Sequence, residues 1–68
     1  MDITPEAKTL ASIAHGIPRG EAQGFRVDAG YHGQEDEIIK AAQAILHAQG
    51  ETRITLTSHG PGHIRIET

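Results

Sequence analysis

Between Gly24 and Thr68 the hydrophobic period of the chain switches from two residues to 3.6 and back to two, with glycine or proline at each switch. A half-buried strand repeats every second residue and an amphipathic helix every 3.6, so this succession leaves room for a strand, a helix and a hairpin and little else. Phe25, Val27 and Ala29 alternate with Arg26 and Asp28, which predicts a strand over 25–29. Glu35, Asp36 and Glu37 then place negative charge where a helix N-terminus favours it, and Gly50 supplies a stop, giving a helix over 34–49. Its inward stripe is Ile38, Ala41, Ala42, Ile45 and Ala48. Ile39 and Leu46 widen that stripe beyond one small sheet face, so they must meet another helix or another molecule.

The last two apolar runs, 53–58 and 63–67, flank His59-Gly60-Pro61-Gly62-His63. Parity constrains their pairing. Pairing Ser58 with His63 would set Leu56 against Arg65, whereas closing the loop at either His59 with His63 or Ser58 with Ile64 lets Leu56 face Ile66. Pro61-Gly62 suits the centre of a type II turn, which fits hairpin twist poorly, so a five-residue loop is expected.

Upstream, Thr4-Pro5 reads as a helix start, with Thr4 as the cap and Leu10, Ile13, Ala14 and Ile17 as one apolar stripe. A helix over 5–15 follows, closed by Gly16 as a left-handed cap. Residues 16–24 hold three glycines and Pro18 and read as a flexible linker, one that would permit the first helix to exchange between copies. The expected architecture is a single α+β domain in the order helix, strand, helix, strand, strand, with the helices on one face of a three-stranded sheet.

Such a chain has little to spare. Ile, Leu, Val and Phe make up 14 of its 68 residues, and a domain this small has a stability margin of roughly 3–5 kcal/mol without staples. Cysteine is absent, which removes disulfides and Cys-based zinc or redox chemistry and fits a reducing compartment. The thin core argues for self-association, a homodimer being the simplest form. No basic leader precedes an apolar segment and no apolar run is long enough to span a bilayer, so no membrane association and a cytoplasmic location are expected.

The net charge is −3, with acids and bases interspersed, so no basic footprint announces nucleic acid. Protonating the five histidines would reverse the sign of that charge, which makes associations in mild acid a distinct case.

Three constellations carry chemistry. Parity gathers Arg26, Asp28, Arg53, Thr55, Thr57, Arg65 and Glu67 on the sheet face away from the helices. Three of four arginines on one flat surface would suit an acidic partner, because guanidinium forks bind carboxylates in bidentate fashion. Single-stranded RNA is disfavoured, since open sheets bind it by stacking on aromatics that this face lacks. At the hairpin tip, His59 and His63 could both reach one metal ion, but zinc needs three or four ligands and no third is evident. The turn Ala29–Gly33 could present amides to an anion, yet Glu35, Asp36 and Glu37 oppose one. Tyr31 and His32 there read as partner contacts.

Catalysis finds no footing. Ser58 and His59 point to opposite faces unless the loop begins between them, Ser12 has no recognisable base, and there is no phosphate loop and no His-x-x-x-His on a helix. The expected function is a non-catalytic protein-protein interaction module without a cofactor, a small adaptor or inhibitor. Size, acidity and lack of cysteine are shared with many phage-encoded inhibitors of bacterial defence, although no motif ties the chain to them. A nucleic-acid-binding regulator using Arg26, Arg53 and Arg65, and a metal-responsive module using His59 and His63, are the alternatives.

Overall fold

The computed structural model describes residues 2–68. Its elements run α1 (Thr4–His15), β1 (Ala22–Arg26), a short 3-10 turn (Ala29–Tyr31), α2 (Glu35–Ala48), β2 (Thr55–Ser58) and β3 (His63–Glu67), an α+β order with no cis peptide. The sheet order is β1-β3-β2. β3 is central and antiparallel to both neighbours, so β1 and β2 run parallel on either side of it.

Leu56 stands opposite Ile66 and Ser58 opposite Ile64, the register that parity required. Five residues separate the last registered pair, Ser58 and Ile64, as expected, but they enclose the type II turn that hairpin twist was expected to disfavour. His59 N–H donates to the His63 carbonyl (2.9 Å), and within that loop His63 N–H reaches the Gly60 carbonyl (3.3 Å) across Pro61-Gly62, with Gly62 at φ +78°.

Both helices contribute to one core with the inward face of the sheet. Leu10, Ile38, Leu46, Ile64, Ile66 and Val27 are its largest fully buried side chains. In α2 the innermost positions are Ile38, Ala42 and Leu46. Ile39, Ala41 and Ile45 are half-buried, and Ala48 is exposed. The extra width of this stripe is taken up by α1, which lies along α2 of the same chain.

Several sequence expectations shift. Thr4 is the first helical residue rather than the cap; Ile3 occupies the cap position, and Asp2 Oδ1 accepts the Thr4 N–H at 3.0 Å. The buried stripe of α1 is Ala7, Leu10, Ala11 and Ala14, with Ile17 beyond the helix, while Ile13 is turned outward at 36% exposure. Small alanines at 7, 11 and 14 permit close approach to α2, and the stripe rotates toward them and away from Ile13. Gly16 stays right-handed at φ −84°, because the chain continues its turn far enough to bury Ile17.

The expected linker is also shorter. Residues 22–24 belong to β1, which ends at Arg26 rather than Ala29; Ala29 begins the 3-10 turn and is exposed. What remains is pinned by the last residue. Thr68 N–H donates to the Glu21 carbonyl (3.0 Å), and its hydroxyl lies 2.8 Å from the Pro18 carbonyl and accepts the Glu21 N–H at 3.1 Å. No helix among the described residues is long and apolar enough to cross a membrane.

Candidate docking face

Antiparallel sheets often bury one face and leave the other wet, and this one does. Across the register, Gly24 and Thr57 flank Arg65, Ala22 and Thr55 flank Glu67, and Arg26 stands opposite His63. All of these residues are exposed, whereas Phe25, Leu56, Ile64 and Ile66 on the opposite face are buried. The outer face thus consists of small and polar side chains and is not covered by α1 or α2.

Charge on this face is not even. At the hairpin end, His63 has Arg26 across one strand, His59 across the other and Arg65 two residues along. Cross-strand neighbours hold their Cβ atoms about 4.5–5.5 Å apart, so these four groups form a basic cluster on an acidic chain. At the other end sits Glu67, whose Oε1 lies 3.4 Å from Arg65 Nε, both side chains about half exposed. An exposed pair of this kind contributes about 0–1 kcal/mol and yields readily to a competing carboxylate.

Arg53 does not join the cluster. It lies in a bend before β2, exposed, with Nη2 3.8 Å from Glu51 Oε2, and Glu51 also approaches His15 Nδ1 (3.6 Å) at the end of α1. Burial still alternates through exposed Arg53 and buried Ile54, but the β2–β3 register begins at Thr55 opposite Glu67, so Arg53 lies beyond the paired ladder at the end away from the hairpin. Arg26, Arg65, Thr55 and Thr57 share the outer face as expected; the third arginine is replaced there by His63. Counting back two residues from Arg65 would have found it.

Tyr31 and His32, expected as partner contacts, also make contacts within the fold, and His32 stays exposed. Tyr31 is half-buried against the core. His32 Nε2 lies 3.1 Å from the Val27 carbonyl, and its ring occupies the space where a Cβ on Gly62 would fall. Beside it is a group that periodicity does not reveal. Glu35, 7% exposed, accepts the Gly62 N–H at 2.7 Å and the Gly33 N–H at 3.0 and 3.2 Å. The Gly62 amide, then its own amide, the Gly33 amide and the nearby His32 hold its carboxyl below the ordinary glutamate range, against the opposing effect of burial. Val27 N–H in turn donates to the Gly62 carbonyl (2.8 Å). Glu35 therefore latches the hairpin loop to the start of α2 and the end of β1. Its contact to Gly62 spans 27 residues, and neither glycine contact has a counterpart in the sequence pattern.

Between this latch and the basic cluster lies an open cleft of about 430 Å³, lined by Arg26, Asp28, His32, Pro61 and His63 among others. Asp28 is held at its rim, its N–H donating to Glu6 Oε2 of α1 at 2.9 Å. His59 and His63 remain a pair of imidazoles; among the described residues no group of three or more histidine or acidic side chains is placed to hold a metal ion. No protein-family model matches the chain, and comparison with curated proteins and with solved structures yields no match.

Proposed function

We propose that this protein is a non-catalytic docking module, an adaptor or inhibitor, that binds an acidic partner protein on the outer face of its sheet through Arg26 and Arg65, with Thr55, Thr57 and His63 around them. One observation carries this reading: a chain with net charge −3 concentrates two arginines and two histidines at one end of a face that its own helices leave open. Arginine forks on a flat surface suit bidentate carboxylate contacts, and the long-range attraction speeds encounter. The absence of cysteine suits a cytoplasmic setting for this docking.

The thin core was the reason to expect a dimer. Among the described residues Ile13 is the one large apolar side chain in the exposed range, with Ile3, Ile39 and Ile45 half-buried; a second copy would cover these, and the docking proposal does not require one.

The test is comparative capture from native host extract by the wild-type chain and by an Arg26→Glu/Arg65→Glu variant, read by quantitative mass spectrometry. Loss of a specific protein with the variant, while Arg53→Glu retains it, supports the face. Equal capture by both sinks it. Retardation of DNA or RNA that falls steeply with salt would move the protein to the nucleic-acid class.

A further inference from the structure

β1 is an edge strand, and the direction of its main-chain groups follows from two hydrogen bonds. Val27 N–H points at the Gly62 carbonyl and Thr68 N–H at the Glu21 carbonyl. Alternate residues of an antiparallel strand turn both backbone groups to the same side. Residues 21, 23, 25 and 27 therefore face β3, and Ala22, Gly24 and Arg26 direct N–H and C=O away from the sheet. All three are exposed.

Edges of this kind are commonly blunted by lysine, proline, a bulge or an inward charge. Ala22-Gln23-Gly24-Phe25-Arg26 has no lysine, proline, bulge or inward charge; its one charged side chain is Arg26, which opposes a basic segment and admits an acidic one, and its five-residue ladder with β3 is unbroken. The opposite edge differs in charge: β2 presents Thr55 and Thr57 on the outer face, while β1 presents Arg26. Gly24 adds a second difference. With no side chain opposite Arg65, nothing on β1 stands between that guanidinium and the open edge.

From this we infer that the acidic partner engages as an extended segment, adding a fourth strand along β1 with carboxylates at alternating positions. This inference rests on the docking face proposed above and specifies how the partner occupies it. A strand added at the usual 4.7–4.9 Å spacing pairs its main chain with Ala22, Gly24 and Arg26. One outward carboxylate then stands beside Arg26, and its neighbour two residues along, beside Gly24, reaches Arg65. Side chains of the other parity fall next to Phe25 and Gln23 on the inner side, where apolar residues fit. This is main-chain augmentation, in which the ladder supplies affinity and alternate side chains supply selectivity. A second copy is the poorer occupant, since pairing β1 with itself about Gly24 would gather four guanidinium groups on one enlarged face.

The probe is a short end-blocked peptide alternating glutamate and valine, titrated into the isotope-labelled full chain and followed by amide NMR, with a lysine–valine peptide as control. The acidic peptide is expected to shift the Ala22, Gly24 and Arg26 amides and slow their exchange, and the lysine peptide is not. Gly24→Pro deletes an outward N–H without touching the β1–β3 ladder and should weaken binding about tenfold, the factor that goes with one main-chain hydrogen bond lost and its acceptor stranded. Methylating the peptide amides that would face β1 tests the same bonds from the partner's side and does not depend on the variant folding. If Arg26→Glu/Arg65→Glu abolishes binding while both main-chain changes leave it intact, the face docks its partner without strand addition and this inference fails alone. If none of the changes matters, both readings fail. Edge amides already protected in the free protein at twice the monomer mass would assign the edge to a second copy and overturn the inference.

Discussion

Replacing Gly62 with alanine measures how tightly the hairpin loop is latched to the rest of the fold. Gly62 sits at φ +78°, and a Cβ there would lie 2.5 Å from His32 Nε2 and 2.9 Å from Cε1. Gly60, two residues away in the same loop, has φ +83° and nothing within 4 Å. The two sites share the backbone term and differ in the contact. A left-handed conformation costs a non-glycine residue about 1–2 kcal/mol, so Gly60→Ala should lower stability by that amount alone. Gly62→Ala must also displace His32 from the Val27 carbonyl, and a hydrogen bond of that kind contributes about 0.5–1.5 kcal/mol net. The expected total is about 1.5–3.5 kcal/mol, a large part of the margin of roughly 3–5 kcal/mol available to an unstapled domain this small.

Thermal unfolding followed by circular dichroism is sufficient, because about 1 kcal/mol moves Tm by about 4–8 °C in a domain of this length. The background variant His32→Ala separates the two contributions: with the ring gone, Gly62→Ala should cost no more than Gly60→Ala does. Equal losses for Gly60→Ala and Gly62→Ala in the wild-type background, or an unchanged Gly62→Ala loss when His32 is absent, would refute the packing of the imidazole on that glycine.

The buried carboxylate gives a pH signature. Because the folded state holds Glu35 below its unfolded value of about 4.3, its contribution is complete above that pH and disappears as pH falls through the lower folded value. A Tm–pH profile should therefore fall more steeply below about pH 4.3 for the wild type than for Glu35→Gln; parallel profiles would contradict the latch. In the core, Ile66→Ala should leave little folded protein, since deleting a buried isoleucine side chain costs about 2–5 kcal/mol, and a cooperative melt close to the wild-type temperature would show that the core is not closed there. Ile13→Lys, by contrast, should stay within about 0.5 kcal/mol, as measured by urea denaturation, because the side chain it replaces faces outward.

What could be read from the sequence was set by short-range geometry. The hairpin register followed from parity because a one-residue slip would turn Leu56 toward Arg65, and that argument needed no knowledge of the rest of the fold. Parity gives a face but not the extent of the ladder: Arg53 keeps the alternation in burial with Ile54 and Leu56, yet it lies in a bend before the first pair, Thr55 with Glu67, and so stands at the end away from the other two arginines. Ile13 turns outward for a related reason. Helical spacing fits Leu10-Ile13-Ala14-Ile17 as well as Ala7-Leu10-Ala11-Ala14, and the choice depends on how closely α2 can approach, which alanines allow and isoleucine does not. The sequence places Glu35 as a dipole-complementing acid at a helix start. That position is correct, but its two glycine amides come from the turn before it and from the hairpin loop, and the second of these is a tertiary contact with no periodic trace.

The two ends of the β1–β3 ladder are fastened by different means, and this bears directly on the docking face. Arg26 and His63 form a pair whose side chains point out and whose backbones do not bond each other; the next pair, Val27 and Gly62, closes that end. Gly62 is held in turn by Glu35. The far end is closed by Thr68 on Glu21 and Pro18, independent of Glu35. Local opening follows the weakest fastening, so loss of the Glu35 carboxylate should loosen the basic end while the other end stays closed. In Glu35→Gln at neutral pH, the Val27 amide should therefore exchange faster with solvent deuterium, with the Thr68 amide keeping its wild-type rate relative to global unfolding. A uniform increase at both amides would mean that Glu35 supports the fold as a whole, and that the basic cluster has no separate hold on its geometry.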